Sequence, residues 1–380
     1  MSPITATWWF PSAPMNASHE TFASAARRWG AKRWHIPAVL LLAMMICSCS
    51  SQQPVSDEPQ SAYPIPLPAG CLEGFLSPDA RWLACLGTLG DESGIWVQEV
   101  EGDRVIPVVL ESEGSNYHSL GWAPDGGTLA SISFEGLPPG RDYEVSLFSL
   151  AAEESTVLYE GADSIRGMRW APGGDSLAVV DGDRLHLVGL NGSHEVLLEE
   201  DVALHPLSGN GLTWSPDGHR LVFPVSVGEP RELRVLELST LEEKVLWPNS
   251  DGRAAFIPSW SLDGQRIAIL KGRYLVDNPS EERVSLVVLD ADGSHPMEMD
   301  LAGAAFELGT ELLWSPDGTQ LATTLRSGAE VDVWLMPVEG GTPRQLTETG
   351  TVQKIIRWTT DGEAVLISTW EAIEVILVGS

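Results

Sequence analysis

The sequence predicts an all-β propeller: seven blades of four antiparallel strands, with the ring closed by an N-terminal strand that completes the last blade. Three observations carry that prediction. A turn motif recurs seven times, its period lies in the forties, and the last repeat runs out of chain one strand short. The segments are Phe75-Leu-Ser-Pro-Asp-Ala-Arg-Trp-Leu-Ala84, Trp122-Ala-Pro-Asp-Gly126, Trp170-Ala-Pro-Gly-Gly174, Trp214-Ser-Pro-Asp-Gly218, Trp260-Ser-Leu-Asp-Gly264, Trp314-Ser-Pro-Asp-Gly318 and Trp358-Thr-Thr-Asp-Gly362. From Pro78 through Pro124, Pro172, Pro216, Leu262 and Pro316 to Thr360, the periods are 46, 48, 44, 46, 54 and 44 residues. Units of this length, each with several strands, are those of a propeller.

The first 48 residues read as a signal segment. Arg27, Arg28, Lys32 and Arg33 lead into an apolar run, Ile36 to Ile46, which ends in Cys47-Ser48-Cys49-Ser50. Charged, apolar and small-residue regions in that order mark an export signal, and the run is short for a permanent membrane span. Ile46-Cys47-Ser48-Cys49 resembles the bacterial lipobox, which implies that Cys49 is lipidated and opens the mature chain. An ordinary cleaved signal and a short anchor helix are the alternatives. Residues 49–68 carry prolines at 54, 59, 64, 66 and 68 among polar residues and read as a semi-rigid tether that also supplies the closing strand.

Residues 69–380 are expected to form the propeller. In Ser-Pro-Asp-Gly, Pro presets the second turn position and Gly takes a left-handed one, so each motif makes a tight hairpin between first and second strands. Alternating runs such as Tyr143–Phe148, Leu233–Leu238, Val284–Leu289 and Val331–Leu335 read as third strands, and Val105–Leu110 and Thr156–Tyr159 as fourth strands. The last unit has room for strands near 365–369 and 373–378 only. Tyr63-Pro-Ile-Pro-Leu67 has no blade of its own and is expected to serve as the missing edge strand, where proline is tolerated.

The repeat set resembles the TolB-type propeller repeat, a relative of WD-repeat propellers, over nearly all of 69–380. The departures are Ala80 for Gly, Gly173 for Asp, and Leu262 and Thr360 for Pro. That family holds periplasmic scaffold proteins, propeller domains of serine peptidases and a few lyases, so the resemblance implies the fold and leaves the function open. Peptidase relatives carry an α/β-hydrolase domain, and this sequence holds no Gly-x-Ser-x-Gly elbow.

Charge narrows the partners. The 380 residues hold 23 Lys plus Arg against 53 Asp plus Glu, a net charge of −30. Without residues 1–48 the balance is 19 against 52, or −33. Such a chain repels phosphate backbones, which excludes nucleic acid. Its apolar content of 43% and charged content of 20% fit a globular domain.

Loop lengths single out one face. Loops between second and third strands and the blade-to-blade links vary, as in 134–142 and 271–282, whereas the hairpin turns are uniformly short. Recognition is expected on the variable face. Tyr117, His118, Arg166, Arg253, Phe256, Glu307 and Lys354, with Asn210 and Gln353, enter the innermost strands there and are the candidates for a ligand site at the channel mouth. Nine basic residues, Lys271 among them, are assigned to loops and links of that face, which favours an anionic or mixed-charge ligand.

Catalytic and metal signals are thin. His118 with His205 is an incomplete pair, Asp290-Ala-Asp-Gly293 lacks the later ligands of a calcium loop, and no phosphate loop, dinucleotide fingerprint or zinc cluster is present. No metal or cofactor is expected. Cys71 and Cys85 flank the first hairpin, with Cys71 expected near Leu86 and Cys85 near Leu72, close enough for a disulfide or for two buried thiols. The resulting expectation is a monomeric, lipid-anchored, extracytoplasmic propeller, which binds a protein, glycan or other envelope component without chemistry of its own. The rival is a polysaccharide lyase or hydrolase with its site at the channel mouth.

Overall fold

The computed structural model describes residues 64–111, 116–135, 142–161, 164–199, 202, 211–225, 232–248, 254–272, 284–301, 305, 310–328 and 330–379. All lie in the compact unit Ser56–Ser380. They form seven four-stranded antiparallel sheets and no helix. Cys49 and Tyr63 lie outside the described residues.

Blade 1 contains β2 (Cys71–Leu76), β3 (Trp82–Leu89), β4 (Glu92–Glu99) and β5 (Val105–Glu111), hydrogen-bonded in that order. Five more blades repeat the meander, with first strands β6 (Asn116–Trp122), β10 (Ile165–Trp170), β14 (Thr213–Trp214), β18 (Ala254–Trp260) and β22 (Leu312–Trp314). The seventh takes β26 (Val352–Trp358), β27 (Ala364–Thr369) and β28 (Ala372–Leu377) from the end of the chain and β1 (Ile65–Pro66) from its start. Ile65 pairs with Ile373 and Pro66 with Ala372, and the Leu67 N–H donates to the Glu371 carbonyl at 2.8 Å. The ring therefore closes on an N-terminal strand, as the short last repeat predicts.

The core is divided rather than central. Seven buried apolar clusters fill the seven blade-to-blade interfaces, one each. Alternation along a strand sends neighbouring residues to opposite interfaces. Leu83 and Cys85 of β3 meet blade 7, whereas Trp82 and Ala84 meet blade 2. Both faces of each second strand are thus buried, which explains continuous apolar runs such as Arg266–Gly272 of blade 5, whose six residues after Arg266 are all buried.

In five of the seven hairpins the repeat motif makes one set of bonds, while Ala123 and Ala171 stand at the hydroxyl position in blades 2 and 3. Ser77, Ser215, Ser261, Ser315 and Thr359 donate their hydroxyls to Asp79, Asp217, Asp263, Asp317 and Asp361 at 2.5–2.6 Å. The aspartates accept backbone N–H groups two residues on, such as His219 at 3.0 Å and Glu363 at 2.9 Å. Each hydroxyl also accepts the N–H five residues ahead, at 2.8–3.0 Å. The turn glycines sit at positive φ, from 69° at Gly126 to 74° at Gly362, and Ala80 holds the same place at 57°. Hydroxyl donation holds the carboxyls of Asp217, Asp263, Asp317 and Asp361 below the usual range.

The tryptophans tie blades together. Trp122, Trp170, Trp214, Trp314 and Trp358 donate their indole N–H to the carbonyls of Phe75, Gly121, Arg169, Ser259 and Leu313 in the preceding blade, at 2.8–3.2 Å. The first repeat fits this pattern without a tryptophan ahead of its turn. Leu76, two residues before Pro78, holds the tryptophan position, and Phe75 is the acceptor preceding it, as Gly121 precedes Trp122.

Candidate functional site

The first strands form the inner edge of each sheet and face the central channel, and in at least five of the seven neighbouring pairs they touch one another. Five of them share an irregularity. The pairing of first with second strand shifts register between Cys71 and Glu73, Tyr117 and Ser119, Ile165 and Gly167, Ala255 and Ile257, and Val352 and Lys354. The residues skipped are Leu72, His118, Arg166, Phe256 and Gln353. All lie at the start of their strands, on the face of the links and variable loops. A bulge leaves its residue out of the ladder and re-aims it, and bulges gather where a sheet meets a partner or a site. Leu72 is 66% exposed and Arg166 is also exposed. Trp370, 70% exposed, lies at the β27–β28 turn, which opens on the same face, and Gln353 Nε2 donates to the Leu72 carbonyl at 3.4 Å.

Below this rim is a channel cavity of about 480 Å³. Glu73, Phe75, Trp122, Arg169, Glu311, Lys354 and Arg357 contribute its charged and aromatic lining. Lys354, 17% exposed at its side chain, bonds Glu73 at 2.8 Å and lies 3.3 Å from the Phe75 ring centroid. Burial pushes its ammonium down from the usual lysine range, against the opposing pull of Glu73 and Glu311. Arg169 of blade 3 reaches Glu311 of blade 6 at 3.4 Å, spanning the channel. Arg357 Nη1 donates to the carbonyls of Ser77 and Pro78, joining blade 7 to blade 1.

The sequence candidates are placed as follows. Lys354 is inside the cavity, and Arg166 is on the rim. Tyr117, His118 and Phe256 have backbone in β6 and β18, with His118 and Phe256 at bulges, while their side chains lie outside the described set. Arg253, Glu307, Asn210 and His205 are also outside it. Sequence reasoning missed Glu73, Arg169, Glu311 and the exposed pair Leu72 and Trp370. A usable signal existed for Arg169, since the residue before each motif tryptophan ends a channel-lining strand.

Two expectations are corrected. Lys271 is not in a loop: it is buried in the second strand of blade 5, bonded to Glu298 at 3.2 Å and 5.1 Å from the Trp247 ring centroid, so the positive charge on the variable face is smaller than counted. Cys71 pairs with Gly87 and Cys85 with Gly74, because the bulge at Leu72 shifts the register. The two cysteines are bonded as a disulfide with Cα atoms 5.3 Å apart. Among the described residues, no three His, Cys, Asp or Glu side chains are grouped as a metal site needs.

The repeats and the closed ring define a seven-bladed β-propeller. No family model matches the chain. Among curated proteins it is similar to tricorn protease homolog 1 of Streptomyces coelicolor, 45% identical over 58 residues, a match covering 15% of this chain and 5% of that protein. Among solved structures it is similar to a hydrazine synthase chain of Kuenenia stuttgartiensis, at TM-score 0.57 and 13% identity over 86% of this chain and 99% of that one. It is also similar to a putative TolB from Agrobacterium tumefaciens, at TM-score 0.43 and 19% identity over 64% and 86%.

Proposed function

We propose that this protein is an exported, lipid-anchored propeller whose channel mouth binds a protein of the cell envelope without catalysing a reaction. One observation carries the reading: five first strands are bulged at the same end, on the face that also exposes Leu72, Arg166 and Trp370. A rigid frame presenting irregular backbone and exposed aromatic, aliphatic and guanidinium groups has the composition of an interface hot spot. Anchoring rests on the lipobox-like Ile46-Cys47-Ser48-Cys49 and on the net charge of −33 left without residues 1–48, which keeps the domain from adsorbing to an anionic membrane by itself.

Photo-crosslinking amino acids placed at Leu72, Arg166 or Trp370, and at His219 or Thr319 on the opposite face, test the binding role in intact cells. One defined protein band from the first three positions only is expected. Bands from both faces, or from neither, contradict it. Labelled palmitate should enter the wild type and vanish with Cys49→Ala, and retained label would remove the anchor.

A further inference from the structure

The charges of the channel cavity point to a ligand. Among its described lining residues, three cations, Arg169, Lys354 and Arg357, face two carboxylates, Glu73 and Glu311, inside a chain whose net charge is −30. Positive charge in a narrow channel of a strongly acidic protein is a focused, local feature. The bridge across the channel is loosely made: 3.4 Å separates Arg169 from Glu311, beyond the usual 2.7–2.9 Å or so of charge-assisted bonds, and the side chains stay 39% and 38% exposed. Exposed pairs of this kind contribute little and exchange readily. Glu311 also acts on Lys354 electrostatically, so a carboxylate arriving at Arg169 leaves Glu311 a second cation to turn to.

The rest of the lining selects what carries that carboxylate. Phe75, Leu120, Trp122 and Ile355 surround the charged groups, and Ser119 is the one neutral hydroxyl in the described lining. A sugar acid would bring many hydroxyls into this cavity with few fixed partners, which is costly. A peptide end brings one carboxylate and apolar side chains. We propose that the cavity binds the free C-terminus of a peptide, its carboxylate taken by Arg169 and Lys354 and its last side chains packed against Phe75 and Trp122. This rests on the mouth being a recognition face, with the partner's tail entering the channel.

The test is calorimetry on the full folded domain with N-acetyl-Ala-Ala-Leu-Phe as free acid and as C-terminal amide, with tri-galacturonate as a third probe. The free acid is expected to bind at least tenfold more tightly than the amide. Arg169→Gln should weaken the acid about tenfold and leave the amide unchanged, and Glu311→Gln, which removes the competing carboxylate, should tighten the acid several-fold. An unchanged melting temperature in both variants separates binding from folding. Equal affinity for acid and amide, no binding of either at millimolar concentration, or Arg169-dependent binding of tri-galacturonate in place of the peptide overturns the proposal. Rim crosslinks that persist alongside such a failure show that the channel site has fallen and the mouth reading has not.

Discussion

The indole N–H of Trp314 donates to the carbonyl of Ser259 at 3.1 Å, whereas Trp260, one blade earlier and equally buried, has no partner for its indole N–H among the described residues. Both rings lie under an arginine, Arg266 at 5.2 Å and Arg220 at 4.5 Å. Two similar environments thus differ mainly in one hydrogen bond. Trp314→Phe should cost about 1 kcal/mol more than Trp260→Phe, the net value of such a bond. Urea denaturation of both variants measures this, and equal losses would show that the inter-blade bonds add nothing beyond packing.

The seam between blades 7 and 1 holds three devices in one cluster: Ile65 of the closing strand, the Cys71–Cys85 disulfide, and Leu366 and Ile373 of blade 7. Ile65→Ala should cost roughly 2–5 kcal/mol, as a buried large-to-small change does. The disulfide closes a short loop, with a sequence separation of 14, and Cys85→Ser should cost about 3 kcal/mol on the chain-entropy estimate. Thermal unfolding with and without reductant reads the second effect, and a melting curve insensitive to reductant would refute it.

His186 and His194 face each other with Nδ1 to Nε2 at 2.7 Å, which accommodates one proton between them. Burial first, then the neighbouring His194, pushes His186 below the usual histidine range, while Asp181 and Glu199 oppose this and Arg184 adds to it. Tyr159 of blade 2 completes the cluster, its hydroxyl donating to Asp181 at 3.0 Å. Because the folded value lies below the unfolded one, the unfolded chain binds the extra proton first. Stability is therefore full above about pH 6.5 and falls as pH drops from there toward the folded value. His186→Gln should flatten that limb of a stability-versus-pH curve, and an unaltered slope would exclude the pair as its source.

The motif aspartates give a separate limb at lower pH. Their carboxyls are held down chiefly by the hydroxyls of Ser215, Ser261, Ser315 and Thr359, so their contribution is present above about pH 3.8 and is lost as pH falls below it. Ser315→Ala should raise the Asp317 titration midpoint in an NMR pH series. A midpoint that stays put would mean that the backbone bonds alone hold it down.

The fold was legible because the determinants of each blade are local: a short turn motif, with at most one of its proline, aspartate and glycine replaced, sets each hairpin, and the spacing of the motifs counts the blades. Closure was legible too, since one strand was missing at the end and one was spare at the start. The channel chemistry was not legible in this way. Arg169 and Glu311 are 142 residues apart, and only the curvature of the ring brings blades 3 and 6 face to face. Leu72 was unreadable because its exposure depends on a bulge, a backbone event that no residue type announces.

The central claim is that the bulged mouth, and not the opposite face of hairpin turns, meets the partner. Hydrogen exchange on the domain with and without its crosslinked partner, at a salt concentration near physiological, tests it most directly. Protection is expected in the segments around residues 72, 118, 166, 256 and 353, with the turns at 78–80, 216–218 and 316–318 unchanged. Protection confined to those turns, with the bulges exchanging as in the free protein, would contradict it.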